Sequence, residues 1–265
     1  MVDRRSAFAT AIAMIALISP AKTLDYESNL PALTPTTPRF VDEAAFLAER
    51  AAKLSKRKLM DLMHISEKLA ALNVERYRDF ADAPERPALF AFAGDVYTGF
   101  EAHSLDEPAI GFAQDHVRIL SGLYGLLRPL DLIRPYRLEM GTHWAPGRAK
   151  TLVQWWGTRV GDLLGDELAE QGSADIINLA SQEYWAAIAQ ATPAGARVTT
   201  IEFMEDGPKG LRFNSFAAKR ARGMMARYIC EHRLGDVAAL RGFDSDGYAF
   251  DADASDDQRW RFVRR

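Results

Sequence analysis

The sequence predicts a single domain of mixed α/β class (α+β), in which a mixed β-sheet is flanked by helices. Short apolar runs at Met14–Ile18 and at 175–180 have the length and composition of buried strands. Between them lie longer segments whose apolar residues recur at three- and four-residue steps, as in helices that cover a sheet. With 265 residues, of which 48% are hydrophobic, the chain is long enough to bury one large core.

The charge balance limits the kinds of partner that the chain can bind. The formal net charge is −3, so the chain is not basic throughout, and any site for an anion must be a local patch. Cys230 is the only cysteine, which excludes an intramolecular disulfide and favours a reducing cytoplasm. Cys230 lies within a helical pattern, and we expect it to be buried.

The N-terminal residues imitate a secretory signal, because Arg4 and Arg5 precede an apolar run. The run ends without a clean cleavage site of small residues, and it is too short to cross a membrane. The sequence favours a start of translation at Met14. Residues 1–13 are then an artefact of the gene start or a disordered tail, and residues 14–265 form one domain.

Polar residues follow the first predicted strand, where ligand groups often lie in α/β proteins. Lys22 and Thr23 resemble the end of a P-loop, but the glycines of that motif are missing. Lys22 and Asp25 are therefore candidates for a pocket, and a local surface ion pair is the alternative. An extended, proline-rich connection leads from them to a helical pattern at 41–80. Cations at 53–58 are interpreted as a solvated helix face.

The stretch 116–142 combines apolar residues, glycines and arginines. Gly122 and Gly125 enclose a short turn, SGLYG at 121–125, between a helical pattern and a predicted short helix at 126–133. Glycines at both ends of such a turn let backbone N–H groups point at a phosphate. The pattern is similar to the helix-hairpin-helix motif of DNA-binding proteins, with Tyr124 as an extra residue. The alternative is a tight turn between buried elements, with its arginines solvated or paired. The cations of the stretch are Arg118, Arg128, Arg134 and Arg137.

The second half of the chain carries another basic cluster. Predicted strands end near Asn178 and near Met204, and Glu183 lies in the first turn of a helix. Ser215 is expected to cap a helix whose apolar face includes Phe216. The cations before and along that helix are Lys209, Arg212, Lys219, Arg220, Arg222 and Arg227.

The sequence contains no recognised catalytic or metal-binding motif. Its five histidines lack the spacing of paired ligands, and the aspartates of the tail lack the glycine and glutamate of an EF-hand loop. The nucleophile elbow and the dinucleotide-binding fingerprint are also missing. We therefore expect no metal and no cofactor.

Several segments resemble one bacterial family, the YaaA peroxide-stress-resistance proteins. They are ISPAKTLDY (18–26), ALFAFAGDVYTG (88–99), ILSGLYGLLRPLDLIRPYRLEMGT (119–142), INLASQEYW (177–185) and FAAKRARGMMARYI (216–229). The resemblance implies a cytosolic protein that limits oxidative damage by lowering free iron, with DNA-binding activity and no established catalytic mechanism. It also implies a mixed α/β fold with a basic cleft and a helix-hairpin-helix-like element. The usual start of the family supports Met14 as the initiator.

The preferred functional prediction is a monomeric, cytoplasmic DNA-binding protein of the peroxide stress response that does not contact membranes. Backbone contacts dominate such binding, so it should select DNA structure rather than sequence, and it should weaken with salt. The predicted DNA-binding residues are Arg118, Gly122, Gly125, Arg128, Arg134, Arg137, Lys219, Arg220 and Arg222.

The alternative is an enzyme that acts on a nucleotide or a nucleic acid in a pocket at the strand ends. In that hypothesis Glu139 serves as a general base and Lys22 binds an anionic group. The polar residues of this predicted pocket are Lys22, Asp25, Arg137, Glu139, Asn178 and Glu183. A third hypothesis, a scaffold for a protein partner, has no supporting motif.

Overall fold

A seven-stranded mixed sheet organises residues 13–208 and 210–265, which the computed structural model describes. The predicted mixed α/β class is confirmed. The predicted extension at 1–13 lies outside the described residues except for Ala13.

In chain order the elements are β1 (Met14–Ile18), β2 (Thr23–Leu24), α1 (Val41–Ala52), α2 (Lys56–Met63), α3 (Glu67–Arg78), β3 (Arg86–Pro87), α4 (Ala88–Ala91), β4 (Phe92–Ala93), α5 (Asp95–Phe100), α6 (Glu107–His116), β5 (Val117–Ser121), β6 (Gly125–Leu127), β7 (Leu132–Ile133), α7 (Leu152–Trp156), α8 (Arg159–Glu170), β8 (Asp175–Asn178), α9 (Gln182–Ala189), β9 (Arg197–Glu205), α10 (Ser215–Glu231), β10 (Tyr248–Asp251) and β11 (Arg259–Arg264).

The sheet has the strand order β10-β11-β9-β8-β1-β5-β6. Its inner strands β11, β9, β8, β1 and β5 run parallel, and the edge strands β10 and β6 are antiparallel to their neighbours. Strand β1 lies near the middle and is completely buried, which explains its continuous apolar sequence.

The order of the strands defines where ligands are expected. From β1 the chain crosses to β5 on one side, and it later returns to β8 on the other side of β1. The strand order therefore reverses between β1 and β8. In open α/β sheets, ligands bind at such a point, beyond the carboxyl ends of the strands.

Other predicted elements are confirmed or corrected. The helical pattern at 41–80 forms α1, α2 and α3, and Ser66 caps α3 by accepting a hydrogen bond from the N–H of Leu69. Cys230 is buried. The apolar run after Pro87 has the composition of a buried strand, but 88–91 forms a helical turn. Periodicity alone does not separate short buried helices from strands.

Helices α5 and α10 approach each other through glycines. A Cβ atom on Gly223 would lie 1.8 Å from the carbonyl oxygen of Val96, and one on Gly99 would lie 2.1 Å from that of Arg220. Contacts this close are impossible for other residues, so the two glycines set the separation of the helices. This packing fixes the position of α10 relative to the rest of the chain.

We expect Gly223→Ala to destabilise the protein, because its methyl group would push α5 and α10 apart. Overpacking of this kind costs about 1–3 kcal/mol. The measurement is the free energy of unfolding in urea. The matched control is Gly111→Ala within α6, where no atom lies within 4 Å of the added Cβ; it should be neutral or stabilising. Equal effects of the two substitutions would contradict the packing argument.

Candidate nucleic-acid interface and polar cluster

The predicted phosphate-binding turn at 122–125 lies in a β-hairpin. Strands β5 and β6 pair antiparallel, with Ser121 opposite Gly125, so strands and not helices flank the turn. The helix-hairpin-helix prediction for this stretch is therefore wrong. Three-residue turns do join α1 to α2 at 53–55 and α2 to α3 at 64–66, but neither turn contains a glycine.

Gly122 and Gly125 have structural roles in this hairpin. Both are buried. A Cβ atom on Gly122 would lie 2.2 Å from the carbonyl oxygen of Leu138, and Gly125 has a φ of +66° and lies against Trp156. Their burial contradicts the prediction that they present backbone amides to DNA.

Arg118 is a second correction, because its charge is buried within the fold. The residue is 4% exposed, and its Nε lies 2.5 Å from Oε2 of the equally buried Glu167. It also donates to the carbonyl oxygens of Gln114 and Val117. A phosphate cannot reach this guanidinium in the folded protein.

The other arginines of the stretch pair with acids. Their nitrogens lie 3.0–3.1 Å from a carboxylate oxygen, and all three side chains are less than a third exposed. This is the arrangement that the alternative reading of the stretch anticipated, with its arginines paired. The pairs are Arg128 with Asp131, Arg134 with Glu85, and Arg137 with Glu139.

The start of α10 carries the exposed part of the second basic cluster. Lys219 and Arg220 are exposed, and neither makes an ion pair with any residue that the structure describes. Arg222 lies farther along the helix and is largely buried, and this burial lowers its pKa. Its predicted role in DNA binding is therefore not supported, whereas Lys219 and Arg220 remain accessible.

Two phenylalanines that sequence reasoning missed lie beside these cations. Phe216 is 71% exposed and Phe213 is 59% exposed, the highest values for large apolar side chains among the described residues. Helical spacing places Phe216 on the apolar face of α10 and predicts that it is buried, which is wrong. Periodicity alone does not show that the first turn of this helix projects into solvent. The Nζ of Lys219 lies 5.8 Å from the Phe216 ring centroid, so charge and ring share one surface. We call Phe213, Phe216, Lys219 and Arg220 the α10 patch.

The segment that carries the α10 patch is anchored by Glu205 at the end of β9. Glu205 is 5% exposed and exchanges two backbone hydrogen bonds with Arg212. Its side chain pairs with Arg264 and accepts a hydrogen bond from Asn214 Nδ2, and the bond from Arg264 is the main cause of its lowered pKa. Asn214, rather than Ser215, caps α10 by accepting bonds from the N–H groups of Phe216 and Ala217.

A separate polar cluster lies near the carboxyl ends of β1 and β8. Oε1 of Glu139 is 3.2 Å from Nζ of Lys22 and 3.1 Å from Nη2 of Arg137. Glu183, in the first turn of α9, accepts a hydrogen bond of 3.1 Å from the N–H of Gly141. The structure thus brings together Lys22, Arg137, Glu139 and Glu183 of the predicted pocket.

Asp25 and Asn178 serve the local backbone. Oδ1 of Asp25 accepts hydrogen bonds from the N–H groups of Glu27 and Ser28, and interactions with Ser28 are the main cause that lowers its pKa to about 2. Asn178 accepts a bond from the N–H of Ala180. Asp25 nevertheless lines a surface cleft, whereas Asn178 supports a turn.

A group of buried tyrosines also lies in this part of the fold, and three of them are close to Glu139. Burial raises the pKa of each phenol well above its ordinary value, so the hydroxyls are neutral. Glu139 adds to this rise for all of them except Tyr97. Only the fold brings these side chains together, since they come from different parts of the chain. They are Tyr77, Tyr97, Tyr136 and Tyr184.

The part of the chain that the structure describes contains neither a metal-ligand cluster nor a membrane-spanning helix. Within residues 13–208 and 210–265, no group of three or more His, Cys, Asp or Glu side chains is arranged to hold a metal ion. None of the helices described there is long and apolar enough to cross a membrane.

The fold and surface define a mixed α/β protein with an aromatic, basic patch and a polar cluster near the carboxyl ends of its parallel strands. A family model described as "Peroxide stress protein YaaA" matches residues 14–254. The chain belongs to this family, as its sequence segments predicted.

Curated relatives of nearly the same length support this membership. A UPF0246 protein of Rhizorhabdus wittichii is 66% identical over 251 residues, covering 95% of this chain and 99% of the relative. A UPF0246 protein of Cupriavidus pinatubonensis is 49% identical, with the same shares covered. One of Idiomarina loihiensis is 47% identical, covering 95% of this chain and 98% of the relative.

Proposed function

We propose that this peroxide stress protein is a cytoplasmic, monomeric protein that binds DNA with unpaired bases through the α10 patch. Binding there helps to limit iron-dependent oxidative damage during peroxide stress. The observation that carries the proposal is the exposure of Phe213 and Phe216 beside Lys219 and Arg220.

The chemistry of the α10 patch fits a nucleic-acid strand. Aromatic side chains stack on bases whatever their identity, and nearby cations contact the phosphates. Phe216 lies three residues before Lys219 and four before Arg220, so the three side chains share one face of α10. Exposing large apolar side chains to water is unfavourable, which supports a role for these rings in binding.

This chemistry also supports selectivity for DNA structure. Bases in a duplex are already stacked on each other and present only their edges in the grooves. An exposed ring stacks on a base only where the base is unpaired, as in a single strand, a bubble or a bulge. The α10 patch should therefore prefer unpaired DNA of any sequence to a perfect duplex.

The test is fluorescence anisotropy with a labelled single-stranded oligonucleotide and the corresponding duplex. We expect tighter binding of the single strand and a loss of at least about tenfold in its affinity for the variant Lys219→Glu/Arg220→Glu, since two phosphate contacts become repulsive. The matched control is Arg57→Glu/Lys58→Glu, which changes the net charge equally at exposed positions of α2. Equal losses in both variants, or a loss confined to the α2 variant, would contradict the proposal.

The cellular part of the proposal needs its own experiment. Cells that lack the protein and produce Lys219→Glu/Arg220→Glu should show the peroxide sensitivity and DNA damage of cells without any copy. Cells that produce Arg57→Glu/Lys58→Glu should resist peroxide like wild type. Full protection by the α10 variant would separate peroxide resistance from DNA binding at this surface.

A further inference from the structure

We propose that the polar cluster of Lys22, Arg137 and Glu139 binds the phosphate group of a nucleoside monophosphate. This site differs from the α10 patch, and its ligand is a small molecule. The inference rests on unsatisfied buried groups, on the position of the cluster in the sheet and on the adjoining cleft.

The first observation is that the cluster contains polar atoms without hydrogen-bond partners. Glu139 is only 9% exposed, and its Oε1 has two cations close by but accepts no hydrogen bond within the described structure. Nε of Arg137 is buried and finds no acceptor there. Buried polar groups are nearly always hydrogen-bonded in folded proteins, so Nε of Arg137 indicates a missing acceptor, whereas Oε1 of Glu139 is already held by its two cations. Lys22 and Arg137 outnumber the Glu139 carboxylate between them, while the carboxylate of Glu183, the fourth member of the cluster, is held by the N–H of Gly141.

The second observation is the position of the cluster. Strands β1 and β8 adjoin where the strand order reverses, and the segment 139–141 is held against the first turn of α9 by the bond from Gly141 to Glu183. Ser181 occupies the N-cap position of α9, but its hydroxyl makes no capping bond. Instead, Ser181 lies against Ser19 at the end of β1, with its N–H donating to Ser19 Oγ at 2.9 Å. Ser19 Oγ in turn donates to Ser181 Oγ, so the Ser181 hydroxyl and the start of α9 provide donors for an oxyanion.

The third observation is a surface cleft of about 630 Å³ that sequence neighbours of the cluster line, a volume typical of small-ligand pockets. Leu24 and Pro135 line it, each two residues from a cation of the cluster. Arg76 in its wall is half-buried; burial lowers the Arg76 pKa, and the nearby charge of Arg137 lowers it further.

The remaining wall of the cleft determines the class of ligand. It carries the carboxylates of Glu27 and Glu75, and also those of Asp25 and Asp79, which already accept hydrogen bonds from the backbone and from Arg78. Carboxylates repel a phosphate but hydrogen-bond well to sugar hydroxyls, as in dinucleotide sites. A nucleotide whose phosphate lies on Lys22 and Arg137, and whose ribose lies in the cleft, matches both the cations and the carboxylates. Glu139 can then accept a hydrogen bond from the ligand.

The test is isothermal titration calorimetry of the full chain with the 5′-monophosphates of adenosine, guanosine, cytidine and uridine, each beside its nucleoside and beside inorganic phosphate. We expect at least one nucleotide to bind with a Kd below about 1 mM. Its nucleoside, and inorganic phosphate, should each bind at least about tenfold more weakly, since each lacks one of the two groups recognised. No saturable binding of any nucleotide would overturn the proposal, and a bridging water would then account for the unsatisfied atoms. Inorganic phosphate binding as tightly as every nucleotide would overturn the assignment to a nucleoside.

Variants identify the site. Lys22→Met removes a cation whose side chain is 63% exposed, so the fold should persist; binding should weaken about tenfold. Arg137→Gln should weaken it similarly, with the fold checked by circular dichroism. The control Lys68→Met removes an exposed cation of α3 and should bind like wild type. Lys219→Glu/Arg220→Glu should also bind nucleotide normally, which separates this site from DNA binding. Unchanged affinity in Lys22→Met and Arg137→Gln would exclude the polar cluster.

Discussion

Replacing both Phe213 and Phe216 with alanine is expected to weaken the binding of single-stranded DNA by at least about tenfold. Stacking of a base on an aromatic ring contributes about 1–3 kcal/mol, and each 1.4 kcal/mol corresponds to about tenfold in Kd. Both rings are largely exposed, so the variant should fold with nearly wild-type stability. Anisotropy titration of a labelled oligonucleotide measures the effect.

The control for this prediction removes two partly exposed apolar side chains from another helix. Leu69 and Leu72 of α3 are 38% and 40% exposed, and their replacement by alanine should leave DNA affinity unchanged. The Phe213→Ala/Phe216→Ala variant should also keep the wild-type salt dependence, because no charge is removed. An affinity equal to wild type would exclude base stacking at the α10 patch.

The second large effect is expected at the buried pair of Arg118 and Glu167. Arg118→Met should cost about 3–5 kcal/mol of unfolding free energy, because it leaves the Glu167 carboxylate buried without its main partner. Arg39 lies 3.3 Å from the other oxygen of Glu167 and is partly exposed, so it compensates only in part. Unfolding in urea, followed by circular dichroism, gives the value.

The double variant Arg118→Met/Glu167→Met separates loss of charge pairing from loss of packing. It should be more stable than Arg118→Met alone, because no unpaired buried carboxylate remains. Folded Arg118→Met should bind DNA like wild type, in contrast to the role that the sequence predicted for Arg118. A loss of stability below about 1 kcal/mol in Arg118→Met would show that the pair is not the stabilising contact proposed.

The parts of the fold that could be predicted are those where sequence and burial correspond directly. Strands β1 and β8 are short apolar runs because both faces of an inner parallel strand are covered. The helices at 41–78 could be predicted because one face of each meets the core, which places apolar residues at helical spacing. The N-caps of α2 and α3 are predictable because the hydroxyls of Ser55 and Ser66 each accept a hydrogen bond from an N–H only three residues further along the chain.

The stretch 116–142 was misinterpreted because its apolar residues are nearly continuous. Strands β5 and β6 are buried throughout, so the alternation that identifies a half-exposed hairpin is missing. The role of each arginine could not be predicted from the local sequence either. Arg118 pairs with a residue 49 positions away, and no local pattern shows whether a cation meets an acid or a ligand.

The polar cluster could be predicted in part because the ends of parallel strands meet at one edge of a sheet. Lys22 follows β1 and Glu183 follows β8, so their nearness follows from the order of the strands. Arg137 and Glu139 come from an irregular segment, and only the fold places them beside Lys22. The exposure of Phe213 and Phe216 depends on where α10 begins relative to the sheet, which periodicity does not define.

The central claim, that Lys219 and Arg220 contact DNA phosphates, is tested most directly by the salt dependence of binding. The affinity of wild type and of Lys219→Gln/Arg220→Gln for a single-stranded oligonucleotide would be measured over a range of salt concentrations. The slope of log K against log salt concentration should be shallower in the variant by about 0.7 for each contact removed. Identical slopes and affinities in the two proteins would contradict DNA binding at the α10 patch.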